Sequence, residues 1–198
     1  MTKSVTSTRI ISRSIPRVAP KGFVVLDVET DGGGLEARVI ELGVVYLSTR
    51  GNVQSSFSTL VYGGGDSGNF HAKRVHGIRN RDLVDAPKFS AIASSLIKSF
   101  QGRILFAHNA SFDLRCLNYE LSLIRRKPLK WAGCTMQLGR HLGHGNLSLS
   151  AAVRRFEIYH QFPHQALDDA SATATLLALY MKNHRSEFQK YLKEVEIG

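Results

Sequence analysis

Cysteine is nearly absent: Cys116 and Cys134 are the only two in 198 residues, and neither a CxxC pair nor a Cys/His zinc spacing can be assembled from them. Disulfide scaffolds and structural zinc modules are thereby excluded, and both thiols read as small, reduced, partly buried side chains of an intracellular protein. No run approaches the ~18 uninterrupted apolar residues of a membrane-crossing helix, so no membrane partner is expected. Internal repeats and low-complexity tracts are missing from residue 22 onward. Acids are scarce too, sixteen against twenty-six Lys and Arg, which leaves a net charge of +10. Such a balance favours polyanionic partners such as nucleic acid and says nothing of fold.

What is present is ordinary globular composition, 43% apolar and 21% charged. At roughly 150 residues per domain the chain makes one domain and a short tail. Residues 1–21 carry Lys3, Arg9, Arg13, Arg17 and Lys21 without an acid, so this segment holds half of the net charge. With Pro16 and Pro20 near its end it reads as a disordered basic leader. Its composition suits a mitochondrial transit peptide, a nucleic-acid-binding arm or an expression remnant alike. Residues 22–198 form the expected domain, in which Lys88 to Leu167 holds eleven basic residues against Asp113, Glu120 and Glu157.

From Phe23 the pattern is that of an α/β protein. Phe23 to Asp27 is a continuous apolar run ending in acid, as in a strand buried on both faces. Arg38 to Leu47 and Val53 to Val61 read as two more strands, joined by the turn-rich Ser48 to Asn52 as an antiparallel hairpin. Tyr62 to Asn69, with four glycines, reads as a loop. A helix is predicted over Phe89 to Phe100, a strand over Arg103 to His108, a helix over Phe112 to Ile124 and a fifth strand over Trp131 to Thr135. Helical segments follow at Met136 to Leu142, Leu147 to Phe156, Gln165 to Asn183 and Ser186 to Val195. The sum is a mixed sheet flanked by helices, with functional groups expected at strand ends and on adjoining helices.

Against so few acids, those in apolar surroundings stand out. Asp27 and Glu29 lie two apart on one strand, so the period of two puts both carboxylates on one face. Like charges so placed repel, and a cation relieves them. Asp113 stands at a strand-to-helix junction, and Asp169 in the first turns of the long helix, five residues after His164. Singly, each has a plainer use: a DxE pair also serves Lys or Arg partners, and acids in a first helical turn suit the dipole. Jointly, four carboxylates suit hard cations, Mg²⁺ or Mn²⁺, and two such ions ~3.5 to 4 Å apart clamp an in-line displacement at phosphorus. His164 is the candidate base for the attacking water.

These residues carry a family resemblance. FVVLDVETDGGG, AHNASFDLRCL and HQALDDASATATLL, in this order and spacing, resemble the three motifs of the DEDDh, or DnaQ-like, 3′-to-5′ exonucleases. The best-known members include the proofreading epsilon subunit of bacterial DNA polymerase III. HAKRVHGIRNRDLVDAPKF resembles a further family segment, and the likeness covers about Phe23 to Met181. It implies a ribonuclease H-like fold, a mixed five-stranded sheet with helices on both faces. It implies that Asp27, Glu29, Asp113 and Asp169 bind two Mg²⁺ or Mn²⁺ ions. The family spacing of His, four residues, Asp selects Asp169 over Asp168 and makes His164 the general base. Thr30, His76, Ile78, Asn109 and Phe112 match positions near the substrate terminus. One departure stands out: the family follows its first acids with Thr-Thr-Gly, here Thr30-Asp31-Gly32-Gly33-Gly34, so Asp31 is expected either to bind metal or to disfavour phosphate.

The expected activity is removal of nucleoside 5′-monophosphates from the 3′ ends of single-stranded nucleic acid, DNA favoured over RNA, in the cytoplasm of a bacterium or phage host. Arg115, Arg125, Arg126, Lys127 and Lys130 are candidate phosphate contacts. An RNA-directed exonuclease resembling oligoribonuclease or ribonuclease T, and a non-catalytic binding module, are the alternatives. Whether the protein edits for a DNA polymerase or acts alone stays open at this point.

Overall fold

The most apolar stretch of the chain forms the centre of one sheet in a computed structural model that describes residues 21–64, 66–130 and 132–197. Strand β1 (Phe23–Thr30) pairs antiparallel with β2 (Val39–Leu47), which pairs antiparallel with the edge strand β3 (Val53–Leu60). On its other side β1 pairs parallel with β4 (Ile104–Ala107), and β4 with the short β5 (Gly133–Cys134). The order is therefore β3-β2-β1-β4-β5, the mixed five-stranded sheet expected from the pattern.

Alternation along β1 sends its side chains to two separate cores. Val24, Leu26 and Val28 pack with α2 (Phe89–Phe100) and α3 (Ala110–Leu123) through Phe89, Leu96, Leu117 and Leu121. Phe23 and Val25 pack on the opposite face against α6 (Ala166–Asn183) and α7 (Arg185–Ile197), with α4 (Thr135–His141) and α5 (Leu149–Arg155) at its border. Asp27 and Glu29 share the parity of Phe23 and Val25, so the face that meets α6 turns from apolar to acidic toward the end of β1. Arg38 and Glu120 lock the two layers together. The guanidinium donates to the Glu120 carboxylate at 2.7 Å, and the Val39 backbone N–H donates to it at 3.1 Å.

Several boundaries differ from expectation. β1 continues to Thr30 because β2 pairs with it as far as Val39, so Asp27 and Glu29 lie within the strand rather than at its end. β5 has two residues instead of five, since Thr135 already opens α4. Both cysteines are free and fully buried rather than partly so. Helix α1 (Phe70–His76) was not expected; two turns are too short to show a period, and only its bounds signalled it. The Asn69 carboxamide caps Ala72 N–H at 3.0 Å and Gly77, at φ 73°, ends the helix. The basic leader lies outside the described residues except for Lys21. Among the described residues no helix is long and apolar enough to cross a membrane.

Candidate active site

Glu29 on β1, His164 in the loop before α6 and Asp169 in the first turn of α6 each offer one ligand atom, all within 4.8 Å of one another. Glu29 and Asp169 are buried while His164 is exposed. Asp113, also buried, sits at the start of α3. That helix leaves the end of β4, whose parallel partner is β1, so Asp113 comes to the acidic stretch of β1 near the carboxyl ends of parallel strands.

The electrostatics of this cluster are those of unrelieved repulsion. Burial, and after it the charges of Asp113, Asp169, Glu29 and Glu41, hold the Asp27 carboxyl far above the usual carboxylate range. Burial and the charges of Asp169, Glu41 and Asp113 push Glu29 up to about 8. Asp113 is pushed up to about 7, chiefly by burial, although backbone N–H groups of Asp113 and Val28 favour its charged form. The described residues bring no Lys or Arg into this balance. Oxygen donors that repel one another and are partly withdrawn from water are matched by a hard divalent cation.

Two features bring α6 close enough to contribute. Gly43, paired with Asp27 across the strands, faces the start of α6, where a β-carbon would lie 2.2 Å from the Ala166 carbonyl oxygen. Glu41, two residues before it and opposite Glu29, accepts a hydrogen bond from Ala166 N–H at 3.1 Å. It replaces the side-chain cap that Gln165 does not supply. Burial raises the Glu41 carboxyl above its ordinary value. Sequence reasoning missed Glu41; its signal was the same period of two on β2 that was applied to β1. His160 was missed as well. Its imidazole Nε2 lies 2.5 Å from Asp169 Oδ1, a pairing nine residues apart that no local pattern marks. Asp168 instead accepts from Phe162 N–H at 2.6 Å, which turns it toward the loop.

Beside the acids lies a groove of about 220 Å³, lined by Glu29, Thr30, Asn69, Val75, His76 and Phe112 among others. Ile78 N–H donates to His76 Nδ1 at 3.0 Å, so Nε2 carries the hydrogen; it is buried and has no partner among the described residues. Thr30 hydroxyl donates to Gly32 carbonyl at 2.7 Å. Ile78 does not line the groove but packs with Ile40 and Leu83. Asn109 precedes α3, its carboxamide oxygen accepting from Ser111 hydroxyl. Arg115 lies over the Phe112 ring, 5.1 Å from its centroid, and donates to Gly33 carbonyl. Arg126 donates to Ser94 on α2. Asp31 accepts from Arg38 N–H at 2.9 Å, so its carboxylate serves the turn that leads into β2. His108 is held by Thr135 hydroxyl and Leu147 carbonyl. A larger cavity, about 620 Å³ between the β2–β3 turn and the end of α6, is lined by Arg50, Lys182 and Arg185 and by no acid.

Residues 24–177 match the family model RNase_T, described as exonuclease. The chain belongs to this exonuclease family. It is 30% identical over 185 residues to the DNA polymerase III subunit epsilon of Rickettsia prowazekii (strain Madrid E), covering 88% of this chain and 80% of that protein. Exonuclease X, solved in complex with 5′ overhanging duplex DNA, is 27% identical with a TM-score of 0.65, over 82% of this chain and 92% of that one. A Mg²⁺- and Mn²⁺-bound form of S. pombe Pop2p shares the fold at 14% identity and a TM-score of 0.69, each chain 85% covered. This exonuclease thus has the ribonuclease H-like architecture and is a nuclease, a 3′-to-5′ phosphodiester hydrolase.

Proposed function

We propose that this exonuclease removes nucleoside 5′-monophosphates from the 3′ ends of single-stranded DNA as a proofreading activity, with two Mg²⁺ or Mn²⁺ ions held by Asp27, Glu29, Asp113 and Asp169. The convergence of Glu29, His164 and Asp169 ligand atoms within 4.8 Å, beside the buried Asp113 and the half-buried Asp27, carries this reading. The donor set fits the ions: carboxylate oxygens that burial and mutual repulsion leave in want of positive charge. When bound, such ions stabilise charge on the phosphoryl oxygens and acidify water.

The chain's own groups supply the rest. His164, exposed beside Glu29 and Asp169, takes the proton from the attacking water. The Phe112 ring, backed by Arg115, offers a stacking surface for the terminal base, a contact every base can make. His76 lines the same groove, its Nε2 withdrawn from the surface. The net charge of +10 draws in the phosphate backbone. Likeness to epsilon subunits and to an exonuclease bound to DNA supports DNA as substrate, a DNA polymerase as partner and the bacterial cytoplasm as the place of action.

The test is digestion of 5′-labelled DNA and sequence-matched RNA oligonucleotides, resolved at single-nucleotide length, with Mg²⁺ and with EDTA. A ladder shortening from the 3′ end of DNA in Mg²⁺ only, faster than on RNA, is expected. Internal cuts, persistence in EDTA or preference for RNA would overturn the reading.

A further inference from the structure

We infer that His160 is a positioning residue that holds the Asp169 carboxylate ready for a divalent cation, an inference that rests on the reading of Asp169 as a metal ligand. Asp169 brings a carboxylate oxygen within 4.8 Å of one on Glu29, and on electrostatic grounds alone its side chain would turn away from that acid. What opposes that turn is the loop before α6. His160 Nε2 lies 2.5 Å from Asp169 Oδ1. An ionised carboxylate offers only lone pairs, so Nε2 carries the hydrogen and donates it. The His164 backbone N–H points at the same carboxylate, 3.3 and 3.4 Å from its two oxygens.

The ring is withdrawn from solvent. Its side chain is 5% exposed, and the preceding Ile158 is buried in the α6-side core with its N–H bonded to Val153 carbonyl. Asp168 Oδ2 stands 3.8 Å from the same Nε2 and accepts from Phe162 N–H, which closes the loop back onto the helix. The two histidines of this loop therefore divide the work: His164 is exposed toward the reaction, while buried His160 fixes a ligand. Hydrogen-bond partners of ligating carboxylates tune metal affinity by about 10- to 100-fold.

The experiment is titration of the full chain with Mn²⁺ alone, free ion followed by electron paramagnetic resonance, for wild type, His160→Leu, His160→Gln, His160→Asn and Asp169→Asn. His160→Leu, which removes the donor, should weaken Mn²⁺ binding by about 10- to 100-fold. His160→Gln, whose longer amide presents an N–H, should recover most of it, and His160→Asn, which stops short, should not. At saturating Mn²⁺ the KM for an oligonucleotide should stay within about twofold of wild type, which a disordered site would not give. Wild-type affinity in His160→Leu with weakened binding in Asp169→Asn overturns the inference alone. Wild-type affinity in both overturns the metal assignment itself. If His160→Leu does not fold, the amide pair decides: Gln binding more tightly than Asn supports the inference, and equal binding overturns it.

Discussion

Gly43 and Ala166 touch backbone to backbone: a β-carbon on the glycine would stand 2.2 Å from both the carbonyl carbon and the oxygen of Ala166. Because Ala166 opens the helix that carries Asp169, and Gly43 pairs with Asp27, the distance between two of the acids is set by a missing side chain. Gly43→Ala should force α6 outward, costing about 1–3 kcal/mol as other overpacked sites do. Displacing a catalytic group by about 1 Å costs on the order of 10²-fold in rate. Thermal melting and hydrolysis of a labelled oligonucleotide measure the two effects. Wild-type turnover in Gly43→Ala would show that α6 need not approach so closely.

The raised carboxyls give the metal-free protein an unusual pH dependence. Glu29 at about 8 and Asp113 at about 7, against ordinary values of 4.5 and 3.8, retain protons in the folded state that the unfolded chain has already released. Their contribution to stability is complete below about pH 4 and is lost as pH rises through 7 and 8. In EDTA the melting temperature should fall between pH 5 and 8. Mg²⁺ competes with those protons, so its stabilising effect should grow over the same range. A melting temperature that climbs from pH 5 to 8 in EDTA would contradict the placement of these acids.

Strand and helix content was readable because β1 is a continuous apolar run and α2 and α6 are long enough to show their period. That Glu29, Asp169 and His164 come together was readable because motif spacing survives whatever happens between the motifs. What escaped were contacts that depend on tertiary closeness. Glu41 faces Glu29 only through the β1–β2 register. His160 reaches Asp169 only because the loop turns back on α6. The Asp31 carboxylate accepts from Arg38 N–H, a contact made by the turn between β1 and β2, which leaves no periodic trace.

Asp27 is the acid whose ionisation the fold opposes most broadly, through burial and four neighbouring carboxylates. Asp27→Asn keeps the volume and removes the charge. Hydrolysis in Mg²⁺ should drop by at least about 10²- to 10³-fold, the usual cost of one electrostatic group at a reacting centre. In EDTA at pH 8 the variant should melt above wild type, by about 2–4 °C for each kcal/mol of repulsion relieved in a protein of this size. A variant that is less stable in EDTA would mean that Asp27 is held by a bond its charge needs.

His164 takes a left-handed backbone conformation, φ 66°, and is exposed, so its replacement need not disturb the core. Asn tolerates that conformation better than most side chains, which makes His164→Asn the variant that tests chemistry rather than folding. Loss of a general base lowers rate by about 10²- to 10⁴-fold. We expect that loss in kcat, with KM for the oligonucleotide and the melting temperature near wild type, because in the proposed mechanism the imidazole acts on the water and not on the nucleotide. The rise of rate with pH on the acid side of the wild-type profile should flatten in the variant. A profile of unchanged shape at reduced height would assign proton removal to another group and leave His164 a role in holding the site.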